Sequence, residues 1–192
     1  LNWCLTAPEL EFQLADARAA LLICDADFRT TLSHAIEKLE PKPVVIQTED
    51  GPAGQDLRTL LMKQAPHSTV PHDPDQTFLQ LYTSGTTGRP KGVLVSHLAA
   101  SMSRHAERMC SDFDHYGEGV MSLSAMPNFH IGGLSWMLIG LLRSLTCVLT
   151  ADATPANLLA LTRRQGATRT FVVPAALVTL LDMVAATDTP PP

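Results

Sequence analysis

At 192 residues the chain is long enough for one large domain or two small ones, and a domain of that size buries roughly 70% of its unfolded surface. With 45% hydrophobic and 17% charged residues, it does not have the composition of a disordered chain. The 14 basic residues are scattered and outnumbered by 19 acidic ones, giving a formal charge of −5 and excluding a general nucleic-acid coat.

The first quarter reads as helix, strand, helix, strand. Thr6 is suited to cap a helix with Pro8 near its start and Leu10, Leu14 and Ala17 at helical spacing. The apolar run from Ala20 to Cys24, closed by Asp25, predicts a buried strand. Leu32, Ala35, Ile36 and Leu39 predict a helix over 28–39. Pro43 to Gln47 predicts a second strand, ended by the turn residues Asp50, Gly51 and Pro52. A polar connection follows over 66–76, rich in proline. His67 and His72 lie in it without a third fixed ligand, so a solvated loop is expected there rather than a metal site.

The second half repeats the alternation. Phe78 to Tyr82 and Gly92 to Val95 predict strands on either side of a Gly/Thr-rich loop. Ser96 is suited to cap a helix toward Cys110, with Met102, His105, Ala106 and Met109 forming a stripe expected to pack on the core. From Val120 to Leu142 there is no Asp, Glu, Lys or Arg. Pro127, Asn128, His130 and Gly132–Gly133 interrupt that stretch, however, and its strongly apolar part, 134–142, falls short of the roughly 20 residues of a spanning helix. A buried loop and helix is expected there, and no integral membrane span. Further along come a strand over 145–149, a helix over 155–165, a strand over 170–173 and a helix from Pro174 to about Ala186. Strands alternating with helices indicate parallel pairing and an α/β layered fold. Cys4, Cys24, Cys110 and Cys147 lie too far apart for a zinc ribbon or a disulfide framework, and suit idle thiols in a reducing cytoplasm. The chain opens at Leu1 with no signal segment after it, and is expected to be a piece of something longer.

The chemistry is concentrated between the strands, in Thr83-Ser84-Gly85-Thr86-Thr87-Gly88-Arg89-Pro90-Lys91-Gly92. These ten residues hold four hydroxyl donors, three glycines, a lysine and an arginine. Glycines let the backbone approach a ligand and turn its N–H groups toward one anion, while hydroxyls and Lys91 add donors and charge. The segment suits a polyphosphate. It lacks the G-K-[ST] ending and following helix of the common P-loop, and no G-x-G-x-x-G supports a dinucleotide. A simple hairpin turn would not call for so many polar residues.

Tyr82 to Gly92, with Val93-Leu-Val-Ser-His97 behind it, resembles the AMP-binding signature of the adenylate-forming enzymes: acyl-CoA synthetases, peptide-synthetase adenylation domains and luciferases. Two further segments agree. Leu1-Asn-Trp-Cys-Leu-Thr-Ala-Pro-Glu-Leu10 is similar to a stretch of acyl-CoA synthetases, with Cys4 where an Arg often stands. Met126-Pro-Asn-Phe-His-Ile-Gly-Gly133 is similar to their Pro-x-Phe-His-x-x-Gly motif, and the spacing to Phe171-Val-Val-Pro174 fits.

The resemblance implies an α/β fold of parallel and mixed sheets flanked by helices, part of that family's large N-terminal domain. On this reading 1–192 is a partial domain truncated at both ends. Residues 1–65 form a first α/β segment, 66–76 the connection, and 77–189 the part with the loop and acyl-pocket motif. The later adenine- and ribose-binding motifs, the hinge and the C-terminal domain are absent, so the 192 residues alone are expected to be inactive. The implied activity is ATP-dependent activation of a fatty or other small carboxylic acid to an acyl-adenylate, followed by transfer to CoA. Thr83, Ser84, Gly85, Thr86, Thr87, Gly88 and Lys91 would hold the phosphates of ATP. Thr83 would also help bind Mg²⁺. Phe129, His130, Gly132 and Gly133 would border the acyl site, with Lys91 and His130 in catalytic roles. The resemblance leaves open an adenylation domain of an assembly line, and a non-catalytic nucleotide-binding remnant.

Overall fold

The computed structural model describes residues 1–49, 56–63, 73–85, 88–109 and 119–186. The chain divides into two compact units, Leu1–Ser101 and Met102–Pro192.

The first unit opens with α1 (Ala7–Ala17), which starts where the sequence reading put it. Thr6 is extended, Pro8 sits in the first turn, and the Glu9 carboxylate accepts from the Thr6 N–H at 2.8 Å and its hydroxyl at 2.7 Å. The first of these bonds satisfies a backbone donor that the start of the helix leaves without a partner. Arg18, left-handed at φ 50°, ends the helix. Then come β1 (Leu21–Cys24), a 3₁₀ turn (Ala26–Phe28), α2 (Arg29–Ile36), β2 (Val44–Gln47) and α3 (Leu57–Lys63), the last not foreseen from sequence. β1 and β2 pair in parallel, Leu21 opposite Val44. Leu22 and Cys24 point inward onto Leu14, Leu32 and Ala35. Each buried leucine contributes roughly 1.5–3 kcal/mol. The opposite face of β1 is open, with Leu21 and Ile23 51% and 56% exposed.

β3 (Thr77–Thr83) and β4 (Lys91–Ser96) form a separate sheet, and they are antiparallel. The helix–strand alternation indicates parallel pairing, and this antiparallel pair makes the sheets mixed, as the family resemblance implies. The seven residues 84–90 are too few for the crossover that a parallel return needs, so the strands close as a wide hairpin with Thr83 opposite Lys91. Ser96 caps α4 (His97–Met109) by accepting from the Ala99 N–H at 3.2 Å. The stripe expected to pack on the core does not: Met102 is 62% exposed and Met109 87%, with His105 and Ala106 exposed beside them. Helical periodicity identifies an apolar face without supplying a surface to cover it.

The second unit is a three-stranded parallel sheet in the order β6 (Thr146–Leu149), β5 (Met121–Ser124), β7 (Arg169–Thr170). α5 (Ile131–Leu142) connects β5 to β6, α6 (Pro155–Gln165) connects β6 to β7, and α7 (Pro174–Ala185) follows. β5 lies where only a loop was expected, and Ser122 and Ser124 on it are buried. β7 is shorter than predicted, because Phe171 leaves the sheet to pack against Trp136. The core joins Leu123, Ala125, Leu158 and Leu161. No helix among the described residues is long and apolar enough to cross a membrane.

Among the described residues Cys4, Cys24 and Cys147 are free thiols, and burial raises the pKa of Cys24. The predicted turn at residues 50–52, most of the 66–76 connection with its two histidines, Cys110, and the Pro190–Pro192 tail lie outside the described residues.

Candidate functional site

The polar loop belongs to the first unit and hangs from the β3–β4 hairpin. Thr83 and Lys91 are the last register pair before it. Directly opposed residues of an antiparallel pair present their side chains on one face, with Cβ atoms about 4.5–5.5 Å apart. The Thr83 and Lys91 side chains therefore leave the strands side by side at the mouth of the hairpin. Both residues are exposed, as are Ser84 and Arg89.

Two glycines shape the loop. Gly88 has φ +85°, a left-handed conformation that glycine adopts without strain, and its N–H bonds to the Gly85 carbonyl at 3.1 Å. A side chain on Gly85 would run into the Arg89 carbonyl, and the Lys91 Cγ would lie 3.5 Å from it. The lysine stem therefore rests against Gly85. The structure thus brings together Thr83, Ser84, Gly85, Gly88 and Lys91; Thr86 and Thr87 lie outside the described residues.

Behind the loop is a polar cluster that sequence reasoning missed. Tyr82 pairs with Gly92 one step below Thr83 and Lys91. Its hydroxyl donates to the Asp16 carboxylate of α1 at 2.6 Å, lies 3.1 Å from the Gln13 carbonyl, and accepts from the Gln80 side-chain amide at 3.0 Å. Burial first, and Asp16 second, push the Tyr82 pKa well above the usual phenol range. The phenol therefore stays a neutral donor. Tyr82 was part of the quoted motif; Asp16, 66 residues away, carried no sequence signal.

The second candidate segment belongs to the second unit. His130 precedes α5 with an extended backbone, its N–H bonded to the Pro127 carbonyl at 3.1 Å. Its ring is exposed and tilts against the half-buried Phe129 ring, centroids 4.6 Å apart. His130 is thus not a core histidine. Gly132 and Gly133 open α5. A Cβ on Gly132 would lie 3.0 Å from the Phe171 ring, and one on Gly133 would lie 2.6 Å from the Met126 carbonyl. The close approaches at these two glycines are to the chain's own atoms. Trp136, one turn on, stacks with Phe171 at 6.0 Å and donates to the Leu123 carbonyl at 3.0 Å. Among the described residues no group of three or more His, Cys, Asp or Glu could hold a metal ion.

Residues 1–190 match the model of the AMP-binding enzyme family. The chain is 33% identical to the fatty acid–[acyl-carrier-protein] ligase ScoC of Streptomyces coeruleorubidus, over 94% of this chain and 34% of that protein. Among solved structures it is similar to the Bacillus subtilis o-succinylbenzoate coenzyme A synthetase in complex with ATP and magnesium ion. There the identity is 27% and the TM-score 0.70, over 95% of this chain and 35% of that one. A Rhodopseudomonas palustris structure described as a long-chain-fatty-acid CoA ligase shares the fold, with a TM-score of 0.75 and 24% identity over 95% of this chain and 45% of that one. The chain spans 34% of the length of relatives such as ScoC and the 2-succinylbenzoate–CoA ligase of Bacillus cytotoxicus. On the match across nearly its whole length, the chain belongs to the AMP-binding enzyme family.

Proposed function

We propose that the protein carrying this chain activates a carboxylic acid with ATP and passes the acyl group to a thiol, with the Thr83–Lys91 loop holding the β and γ phosphates. The observation that carries the reading is the hairpin mouth, where an exposed hydroxyl and an exposed lysine are paired across a glycine-shaped loop. In the first half-reaction a carboxylate oxygen attacks the α-phosphorus. The bond from that phosphorus to the bridging oxygen breaks, and pyrophosphate leaves. Lys91 opposes the charge growing on the leaving pyrophosphate, and the loop hydroxyls and N–H groups orient it. Positioning and electrostatic stabilisation dominate such transfers.

Mg²⁺ neutralises phosphate charge when bound. Thr83 is the residue of this chain that would contact it. In the second half-reaction the thiol sulfur attacks the acyl carbon, the thiol proton is lost, and AMP leaves. Phe129, His130, Gly132 and Gly133 would border the acyl group, with the exposed His130 ring beside the reacting carboxylate.

We assign the acid to the fatty or other small organic acids and the acceptor to CoA, in a cytoplasmic reaction. The likeness to ScoC favours a second reading of the acceptor, a carrier-protein thiol. The 192 residues alone are proposed to complete neither half-reaction.

The test is ATP–pyrophosphate exchange by the full-length protein across a panel of fatty and small organic acids. Acid-dependent exchange supports the reading, and CoA against acyl carrier protein then separates the two acceptors. Absence of exchange with every acid of the panel, in a protein that still binds ATP, would leave the non-catalytic remnant as the reading. Acyl-adenylate formation by the isolated 192 residues would overturn the last proposal.

A further inference from the structure

We propose that Asp16, at the C-terminal end of α1, is a positioning residue for the phosphate loop, acting through Tyr82. The inference rests on the reading of that loop as a phosphate site and extends it to a residue outside the signature motif.

Asp16 lies in the last turn of α1, where the helix already presents unpaired carbonyls and negative charge. A carboxylate there opposes the helix dipole, so its placement does not serve the helix. What it does serve is the hairpin. Its Oδ2 accepts the Tyr82 hydroxyl at 2.6 Å, a short charge-assisted bond. The Gln80 amide donates to the same hydroxyl from two residues earlier on β3, at 3.0 Å. Tyr82 is thus fixed by donors and acceptors from two elements.

The position of Tyr82 gives this tether its consequence. Tyr82 directly precedes Thr83, and its partner Gly92 directly follows Lys91. The pair forms the floor beneath the two residues at the loop's mouth. Gly92 leaves room for the tether: a Cβ there would run into the Gln80 amide, and would lie 3.2 Å from the Tyr82 ring and 3.3 Å from the Asp16 carboxylate. A two-stranded hairpin is marginally stable by itself. A fixed point one residue from the mouth limits the twisting and splaying that would separate Thr83 from Lys91. Side chains that orient a phosphate must be held within a fraction of an ångström to act together.

The experiment is titration of full-length protein with MgATP and, separately, with AMP. The proteins compared are wild type, Asp16→Asn, Tyr82→Phe, the double variant and Lys91→Ala. AMP lacks the β and γ phosphates and reports general damage to the nucleotide site. Asp16→Asn and Tyr82→Phe should each weaken MgATP binding roughly tenfold, the scale of one hydrogen bond to a charged group, with AMP affinity unchanged. The double variant should be no weaker than either single one, because each abolishes the same charge-assisted bond, Asp16→Asn by removing the charge and Tyr82→Phe by removing the hydroxyl. Asp16→Glu, which keeps a charged carboxylate acceptor, should recover part of the loss.

If Lys91→Ala weakens MgATP while Asp16→Asn and Tyr82→Phe do not, the tether is wrong and the phosphate loop stands. If Lys91→Ala also leaves MgATP untouched, both readings fall together. Equal loss of MgATP and AMP in the tether variants would mean a general structural role and would overturn the proposal.

Discussion

The two segments that carry the candidate chemistry are exposed, but they are held in opposite ways. The Thr83–Lys91 loop hangs from two strands whose base is fixed by polar contacts of Tyr82 with Asp16 and Gln80. The Phe129–Gly133 turn is held by close packing: Gly133 is buried against the Met126 and Pro127 carbonyls, and Phe171 is stacked on Trp136. Polar tethers are directional and individually modest, whereas close packing resists any added volume. Substitutions around the loop should therefore change what the protein binds. Substitutions under the turn should change whether it stays folded.

The largest expected effects test both halves of that contrast. In the full-length protein Lys91→Ala should slow adenylation by about 10²–10³-fold, the scale of removing one transition-state donor. Its denaturant midpoint should match wild type, since the lysine is exposed. A near-normal rate of pyrophosphate release in this variant would show the lysine's role to be misassigned. Leu123 lies at the other extreme: it is fully buried on β5, and its carbonyl anchors Trp136. Leu123→Ala should lower unfolding free energy by about 2–5 kcal/mol, read from denaturant melts. A loss below that range would mean the second core can collapse around the gap.

Gly133→Ala is the intermediate case. A methyl there meets two carbonyl oxygens that cannot swing away as a flexible side chain could. Overpacking of this kind costs about 1–3 kcal/mol, and melts of the variant should show it. Unchanged stability would mean the turn moves freely and that packing does not hold it.

Sequence patterns revealed these regions to different degrees. Capping and periodicity located α1 and α6, because Thr6 with Pro8, and Pro155 through Gln165, are local signals. The loop's composition was equally local. β5 was missed because Ser122 and Ser124 resemble loop residues, although both are buried in the sheet. The Met102–Met109 stripe identified an apolar face correctly but not its exposure, which depends on neighbours far away in sequence. Asp16 failed for the same reason. Nothing within α1 says that its terminal carboxylate meets a tyrosine 66 residues later.

α1 offers the finest test, since it carries an acid at each end. Glu9 agrees with the helix dipole and closes the first turn; Asp16 opposes the dipole and reaches the hairpin. The Glu9 carboxyl is held below the ordinary glutamate value of 4.5, by the Thr6 N–H first and the Thr6 hydroxyl second. A carboxyl depressed by folding stabilises the folded state in full above its unfolded value. That contribution drains as pH falls through the lower, folded value. Glu9→Gln should therefore reduce stability slightly at neutral pH, and the gap from wild type should close as pH falls below 4.5. Its MgATP affinity should stay at the wild-type level. Asp16→Asn should do the reverse, weakening MgATP while leaving this acid limb of the stability curve in place. If Glu9→Gln weakened MgATP as much as Asp16→Asn, the loop would depend on the integrity of α1 as a whole, and the single hydrogen bond to Tyr82 would lose its special standing.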